Sequence, residues 1–275
     1  PGAGAPGAPL DELPRGALLH HPLRRGESLR IAGLLAGHAE RDAIAAGGPG
    51  VDHAVDHVPV EAALLGFQIA PGQSQIDVVQ SGEVLEEMEL DGSAIVVLGV
   101  GCTSMIAGLN LDCVLGSHGG APDIATAIKR LEPDRFVLTM QGDGDCIAIG
   151  AGAWIAAMGR GENITIIMAN NANYGTTGGQ LAPTTIVGQI TPTTPDGRNT
   201  ETDGFPIHAA ELAATFQGVA YSARGALNTM ANYQRTKKFI RRAFQKQLDR
   251  EGMSFVEVLS ACPPNWHKTP LDSID

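Results

Sequence analysis

The chain has 275 residues, and its 19 Lys+Arg against 30 Asp+Glu leave a formal net charge of −11. At roughly 100–200 residues per domain this is one large domain, or a domain with an appendage, with ample length for a core. The acidic balance, with no lysine before Lys129, excludes a surface dominated by phosphate-neutralising cations and hence a nucleic-acid partner. Glycine is in excess, 35 residues, so many backbone positions must turn tightly or approach something closely. Four cysteines, Cys102, Cys113, Cys146 and Cys262, form neither a dense disulfide framework nor paired CxxC motifs. No apolar run approaches the roughly 18 residues of a membrane span, so the expectation is a soluble, cytoplasmic protein with no membrane partner.

Residues 1–66 contain no aromatic residue, hold five of the eight histidines and open with a Pro/Gly/Ala stretch. Helical periodicity over Glu27 to Ala46 (Leu29, Ala32, Leu35, Ala43) stops at the breaker cluster Gly47-Gly48-Pro49-Gly50. His53 and His57, flanked by Asp52 and Asp56, would share a helix face as metal ligands; a solvated loop or helix end is the alternative, and no third ligand is evident. This segment reads as an extension of unknown role, and residues 67–275 as the main domain.

From Phe67 onward, β-branched runs alternate with helical stretches. The pattern predicts a helix over Ile76–Met88, a strand over Ala94–Val100, a helix over Asp123–Leu131 and a strand over Arg135–Met140. A helix over Ile147–Met158, a strand over Ile164–Ala169 and a helix near Ile207–Thr215 follow. The chain closes with a long amphipathic helix near Met230–Glu251 and a strand over Ser254–Leu259. Strands separated by such helices make βαβ units, hence an α/β fold with a mostly parallel sheet covered on both faces. Ligands of such sheets sit beyond the carboxyl ends of the strands, which points to the loops after Val100, Met140 and Ala169.

Those loops carry the unusual residues. Gln141-Gly142-Asp143-Gly144-Asp145 opens directly into a helix, whose free N–H groups and positive dipole end suit a phosphate. A bare carboxylate there is explained by a divalent cation shared with that phosphate. Asn170-Asn171-Ala172-Asn173 follows the next strand, 28 residues from Asp143 to Asn171, and leads into Tyr174-Gly175-Thr176-Thr177-Gly178-Gly179-Gln180. Carboxylate, amide and main-chain oxygens make a hard ligand set that suits Mg²⁺ holding a diphosphate. Gly142-Asp143-Gly144 alone also reads as a plain turn; the combination with Asn171 and the Gly/Thr loop is the specific signal. The dinucleotide fingerprint G-x-G-x-x-G and the G-K-[ST] of a P-loop are absent.

The stretch from Val97 to Trp266 resembles the thiamine-diphosphate-binding (beta) subunit of 2-oxoacid:ferredoxin (acceptor) oxidoreductases, in its branched-chain or aryl 2-oxoacid branch. The residues that carry the resemblance are Gly99-Val100-Gly101-Cys102, Ser117-His118-Gly119-Gly120-Ala121-Pro122, Gly142 to Asp145, Asn171, Tyr174 to Gln180, Ala182-Pro183-Thr184-Thr185 and Glu257 to Pro263. It implies the thiamine-diphosphate-binding fold, with thiamine diphosphate and Mg²⁺ as cofactors. By the same resemblance Asp143 and Asn171 supply side-chain ligands to the metal and Asn173 its main-chain carbonyl. Gly142, Gly144, Asp145, Tyr174, Gly175, Thr176, Thr177, Gly178, Gln180, Gly101 and Cys102 are by the same resemblance cofactor-binding residues. His118 would lie near the diphosphate or reacting centre as a proton donor or phosphate contact, with a purely structural histidine as the alternative.

Two departures stand out. Where the family has a Cys-x-x-Cys-x-His, residues 70–75 read Ala-Pro-Gly-Gln-Ser-Gln, so a [4Fe-4S] cluster, which needs about four thiolates, is not expected in this chain, and Cys102 reads as a buried small residue. Gly120 stands where relatives have arginine, which implies an apolar or differently held substrate. The resemblance further implies a pyrimidine-domain (alpha) subunit that supplies the activating glutamate, a gamma-type subunit, an electron-carrier chain, and a 2-oxoacid and coenzyme A as substrates. Glu83, Glu86, Glu87 and Glu89 read as a solvated helix face. The basic side of the last long helix reads as solvated too, or as a docking face for an acidic electron carrier or a coenzyme A phosphate. Three readings stay open: a subunit of an oxidative 2-oxoacid oxidoreductase, a non-oxidative decarboxylase or carboligase, and a non-catalytic scaffold.

Overall fold

The computed structural model describes residues 43–45, 54–56, 76–104, 111–269 and 272–273. Strands β1 (Ala43–Ala45) and β2 (Ala54–Asp56) pair antiparallel. The predicted helix over Glu27 to Ala46 is therefore corrected at its end, where Ala43–Ala45 is strand. The backbone between His53 and His57 is also extended, so these two do not share a helix face through it. Both histidines, and the rest of that predicted helix, lie outside the described residues, as do residues 70–75.

The sheet of the main domain begins with helix α1 (Ile76–Glu87) leading into β3 (Ala94–Leu98), then β4 (Asp112–Leu115), α2 (Ala121–Leu131) and β5 (Phe136–Gly142). A π-helical turn, Asp145–Ile149, precedes α3 (Ala151–Arg160) and β6 (Thr165–Asn170). The chain ends with α4 (Ala209–Ala214), β7 (Val219–Ala226), α5 (Met230–Leu248), β8 (Met253–Leu259) and the short α6 (Pro263–Trp266). Six parallel strands lie in the order β4-β3-β5-β6-β8-β7.

Alternation along the strands builds a core on each face. Val96, Leu138 and Val256 face one layer, packed with Val84 and Leu85 of α1 and Phe239, Ile240 and Phe244 of α5. Val97, Val137 and Phe255 face the other, against Ala121 and Ala125 of α2, Trp154 and Met158 of α3 and the alanines of α4. From β3 the chain moves outward to β4 and then returns to place β5 on the opposite side of β3, so the strand order reverses between β3 and β5, where an open parallel sheet leaves a crevice. The register pairs Leu98 with Met140 and Gly142 with Ala169, which sets the carboxyl ends of β3, β5 and β6 side by side.

The differences from the sequence-based expectations have local causes. The helix expected over Ile147–Met158 starts as a π turn over Asp145–Ile149, where Gly150 lies flat against Gly119 (a Cβ on Gly150 would sit 2.7 Å from the Gly119 carbonyl oxygen), and runs on to Arg160, where Gly161 at φ 61° caps it. Strand β7 reads Val-Ala-Tyr-Ser-Ala-Arg-Gly-Ala and shows no apolar run, yet it is buried throughout. Its polar side chains are satisfied inside: the Ser222 hydroxyl donates to the Ala210 carbonyl, and Arg224 pairs with Glu257 at 2.9 Å and with Glu211 at 2.5 Å. Strand β4 is short, exposed and at the sheet edge.

The acidic side of α1 is solvated only in part: Glu86 and Glu89 are exposed, whereas Glu83 and Glu87 are engaged. Glu83 and Glu87 receive Lys237 at 2.8 and 2.6 Å, and Glu87 also receives Arg241 at 2.8 Å, which clamps α1 to α5 and holds the Glu87 carboxyl below its ordinary range. Arg242 stacks over Tyr221, Lys246 pairs with Glu251 and Arg250 with Asp134, so most of the basic side of α5 is engaged within the chain.

Burial outweighs these surface pairs. Phe244, fully buried and edge-on to Phe136 at 4.9 Å, should cost about 3–5 kcal/mol on replacement by alanine. Arg241→Ala should cost less than about 1 kcal/mol. Denaturant unfolding of the two variants checks both values.

Candidate active site

Residues at the ends of β3, β5 and β6 enclose a cleft of about 160 Å³. Every residue that the resemblance assigns to the cofactor, its metal or the reacting centre lines it except Gly178 and Gln180; Val100, Thr103 and Ala169 line it as well. No lysine or arginine does so among the described residues.

At the end of β5 the side chain of Asp143 is 2 % exposed. Its Oδ2 accepts the Thr184 hydroxyl, and the main-chain N–H of Gly144 also donates to the carboxylate. Burial dominates nonetheless and pushes the carboxyl up to about 7, because no cation offsets the lost hydration. Gly144 must be glycine: a Cβ there would lie 2.3 Å from the Tyr174 ring, whereas nothing stands within 4 Å of a Cβ on Gly142.

At the end of β6, Asn170 is turned into the protein. Its Nδ2 donates to Glu257 at 2.7 Å, and its Oδ1 accepts the N–H of Ala172, a residue held at φ 57°. The next two asparagines face the cleft and bond each other: the Asn173 N–H donates to Asn171 Oδ1 at 3.3 Å, and Asn173 Nδ2 to the Asn171 carbonyl at 3.2 Å. Asn173 Oδ1 is buried and has no partner. The following loop closes on itself, the Tyr174 N–H donating to the Gln180 carbonyl at 3.0 Å. Thr177 and Gln180 satisfy one another, with the Thr177 hydroxyl donating to Gln180 Oε1 at 2.6 Å. That internal bonding is why Gly178 and Gln180 shape the loop without lining the cleft.

On the opposite wall Cys102 is half-buried, which corrects its reading as a buried filler. Its Sγ lies 3.2 Å from Thr176 Oγ1 and faces the cleft. Cys262, whose thiol burial pushes up, accepts from Asn265 Nδ2 at 3.2 Å; the same amide donates to the Gly175 carbonyl at 2.8 Å and ties α6 to the loop. The His118 ring enters the cleft from the β4–α2 loop, with Nδ1 2.5 Å from the buried Asp145 carboxylate. Asp145 is thus turned onto the histidine.

Two residues that shape the site have no role assigned from the sequence: Thr184 stands only within the Ala182–Thr185 motif, and Arg198 in none. Thr184 touches Asp143, and Arg198, 5 % exposed, holds the loop that delivers it. The Arg198 guanidinium donates to the carbonyls of Pro183 and Thr185 on one limb and of Gly204 and Phe205 on the other. One arginine in a loop rich in threonine, proline and glycine is the only signal for it in the sequence. Among the described residues no three His, Cys, Asp or Glu side chains converge as metal ligands, so a cation in the cleft would take amide or main-chain oxygens besides Asp143.

The arrangement can be set beside known proteins. A subunit of ketoisovalerate oxidoreductase, VorA, from Methanothermobacter thermautotrophicus is 41 % identical over 186 residues, covering 67 % of this chain and 39 % of that one. The KorB subunit of 2-oxoglutarate synthase from Archaeoglobus fulgidus is 38 % identical over 184 residues, 65 % of this chain and 62 % of that one. The chain thus spans about two fifths of the length of the first relative. The solved structure of a 2-oxoglutarate:ferredoxin oxidoreductase from Magnetococcus marinus, with 2-oxoglutarate, coenzyme A and succinyl-CoA bound, superposes with a TM-score of 0.59 at 22 % identity, over 78 % of this chain and 72 % of that one, which establishes a shared fold. Residues 99–258, more than half of the chain, match the family model "Thiamine pyrophosphate enzyme, C-terminal TPP binding domain". The chain therefore belongs to the thiamine pyrophosphate enzymes, and the cleft at the ends of β3, β5 and β6 lies within its TPP-binding domain.

Proposed function

We propose that this chain is the thiamine-diphosphate- and Mg²⁺-binding subunit of a heteromeric 2-oxoacid oxidoreductase, acting in the cytoplasm. The complex would oxidatively decarboxylate a 2-oxoacid to an acyl-CoA and pass the electrons to ferredoxin or another acceptor. The observation that carries the cofactor assignment is Asp143: a buried carboxylate raised to about 7, in a cleft without lysine or arginine, lacks the positive charge that would make its ionised form favourable. A divalent cation supplies that charge and takes a diphosphate with it. The unpartnered, buried Asn173 Oδ1 and the side-chain-free floor at Gly142 and Gly144 fit the same occupant.

In this reading Asp143 and Asn171 hold the metal through side chains and Asn173 through its main-chain carbonyl. The Thr184 hydroxyl, bonded to Oδ2, orients the Asp143 carboxylate for that role. Gly142, Gly144, Tyr174, Gly175, Thr176 and Thr177 surround the diphosphate, while Gly178 and Gln180 keep that loop in shape. Gly101 and Cys102 close the facing wall, and His118 stands toward the reacting end. When bound, the cofactor supplies a thiazolium ring that acts as the electron sink for decarboxylation. The glutamate that activates it would come from a pyrimidine-domain subunit, since no glutamate lines this cleft among the described residues. A gamma-type subunit and an electron-carrier chain would complete the complex. The relatives named as ketoisovalerate and 2-oxoglutarate oxidoreductase or synthase subunits support the oxidative reading. The Ala-Pro-Gly-Gln-Ser-Gln at residues 70–75, without a cysteine pair, favours a non-oxidative decarboxylase as the second reading.

Asp143→Ala should weaken Mg²⁺-dependent binding of thiamine diphosphate by more than about 100-fold while leaving the melting temperature of the ligand-free chain unchanged or higher, because a buried uncompensated carboxylate is removed. Calorimetric titration and a thermal melt read the two effects; tight binding by the variant would sink the assignment. Thr184→Val should lower the same affinity by about 10–100-fold. Chelation by EDTA should abolish binding in the unaltered chain, and added Mg²⁺ should restore it. For the redox step, the complex purified with its pyrimidine-domain partner should reduce a viologen dye in the presence of 2-oxoacid and coenzyme A. Release of aldehyde without dye reduction would select the non-oxidative reading.

A further inference from the structure

We infer that Asp145 is a positioning residue that fixes a hydrogen on Nδ1 of His118, so that in the neutral ring Nε2 is the proton acceptor offered to the cleft. The inference deepens the reading above and rests on it for the role of the cleft.

The side chain of Asp145 is 1 % exposed and has four partners. The main-chain N–H groups of Val100 and Gly119 donate to Oδ1 at 3.2 and 2.7 Å, and Gln141 Nε2 donates to Oδ2 at 2.6 Å. The Gln141 amide is oriented for this by the Thr139 hydroxyl, which donates to its Oε1 at 3.3 Å. The fourth partner is His118 Nδ1, 2.5 Å from Oδ1. The first three groups have only a hydrogen to give, so the carboxylate acts as acceptor throughout, and a carboxylate facing an imidazole nitrogen requires the hydrogen on that nitrogen. In the neutral ring the remaining nitrogen then carries the lone pair.

The carboxylate is also locked in place. A Cβ on Gly99 would lie 2.1 Å from Asp145 Oδ2, so glycine at the end of β3 leaves the space the carboxylate fills. Its partners come from β5 and from the loops after β3 and β4, the three segments that meet where the strand order reverses. Asp145 cannot swing toward a diphosphate without losing all of them, and its charge would repel one. The ring of His118, 38 % exposed, lies in the cleft wall with Nε2 unpartnered among the described residues. A lone pair there takes a hydrogen bond or a proton from an O–H or N–H group of the bound substrate. A fully ionised phosphate or carboxylate oxygen has no hydrogen to offer it, so the structure moves His118 from phosphate contact to proton acceptor.

The test is a long-range ¹H–¹⁵N correlation spectrum of the full 275-residue chain with ¹⁵N-labelled histidine, at about pH 8, with the His118 signals assigned by their loss in His118→Gln. A pyrrole-type Nδ1 and a pyridine-type Nε2 are expected. Asp145→Ala, which removes the acceptor facing Nδ1, should abolish the preference and give averaged signals. A pyridine-type Nδ1, averaged signals or a doubly protonated ring in the unaltered chain would overturn the inference, as would an unchanged pattern in Asp145→Ala. If that variant does not fold, Gly99→Ala, which displaces the carboxylate, should give averaged signals, and the spectrum of the unaltered chain decides in any case. Calorimetry with thiamine diphosphate on the same sample separates the two proposals: absence of binding sinks the cofactor reading and leaves the tautomer result intact.

Discussion

A carboxylate taken out of water with no cation beside it is unfavourable in any fold, and Asp143 is held in that state by everything around it. The Thr184 hydroxyl and the N–H of Gly144 recover part of the lost hydration, but burial still pushes its carboxyl up to about 7. The more distant charge of Glu257 pushes the same way. A site built like this is incomplete until a positive charge enters it. The surrounding glycines and asparagines follow from that need, since they give a cation and an anion room without adding a competing charge.

Holding the site open takes structure behind it. Arg224 lies between Glu211 and Glu257, and Glu257 in turn holds Asn170, whose Oδ1 caps the N–H of Ala172 at the strained entrance to the asparagine loop. A buried ion pair is a poor source of net stability, because desolvation offsets most of the attraction. Here it serves to fix the end of β6, so that Asn171 and Asn173 point where β5 delivers Asp143. Arg198 does the equivalent work for the loop that carries Thr184, by gathering carbonyls from both of its limbs.

The two carboxylates of Gly142-Asp143-Gly144-Asp145 have opposite environments despite standing two residues apart. Asp143 has weak acceptance and no charged partner, which suits a metal ligand. Asp145 has four donors and a histidine, which suits the orientation of a side chain. The π-helical turn that starts at Asp145 rotates its carboxylate away from that of Asp143 and toward β3. The charged seam between α1 and α5 shows a similar division: residues that read as two separate solvated faces are each other's partners, and they stabilise the packing of two helices on one side of the sheet.

Alternation of β-branched runs with amphipathic helices was enough to identify the parallel α/β sheet, and the position of the Gly142–Asp145 and Asn171–Gln180 motifs after strands located the cleft, because ligand sites of such sheets lie at the strand ends whatever the details. Strand β7 was illegible, since its buried serine and arginine are satisfied by residues distant in the chain and leave no apolar pattern of their own. The roles of Thr184, which stands within the Ala182–Thr185 motif, and of Arg198, which stands in none, were illegible for the same reason: their partners are 41 residues away in one case and main-chain carbonyls in the other. The sequence by itself determined which elements form and which residue types reach the strand ends, because periodicity and backbone chemistry are local. Only the tertiary structure decided which carboxylate is left without a charged partner and which faces a histidine, because that depends on the donors and the free space that separate strands bring to each oxygen.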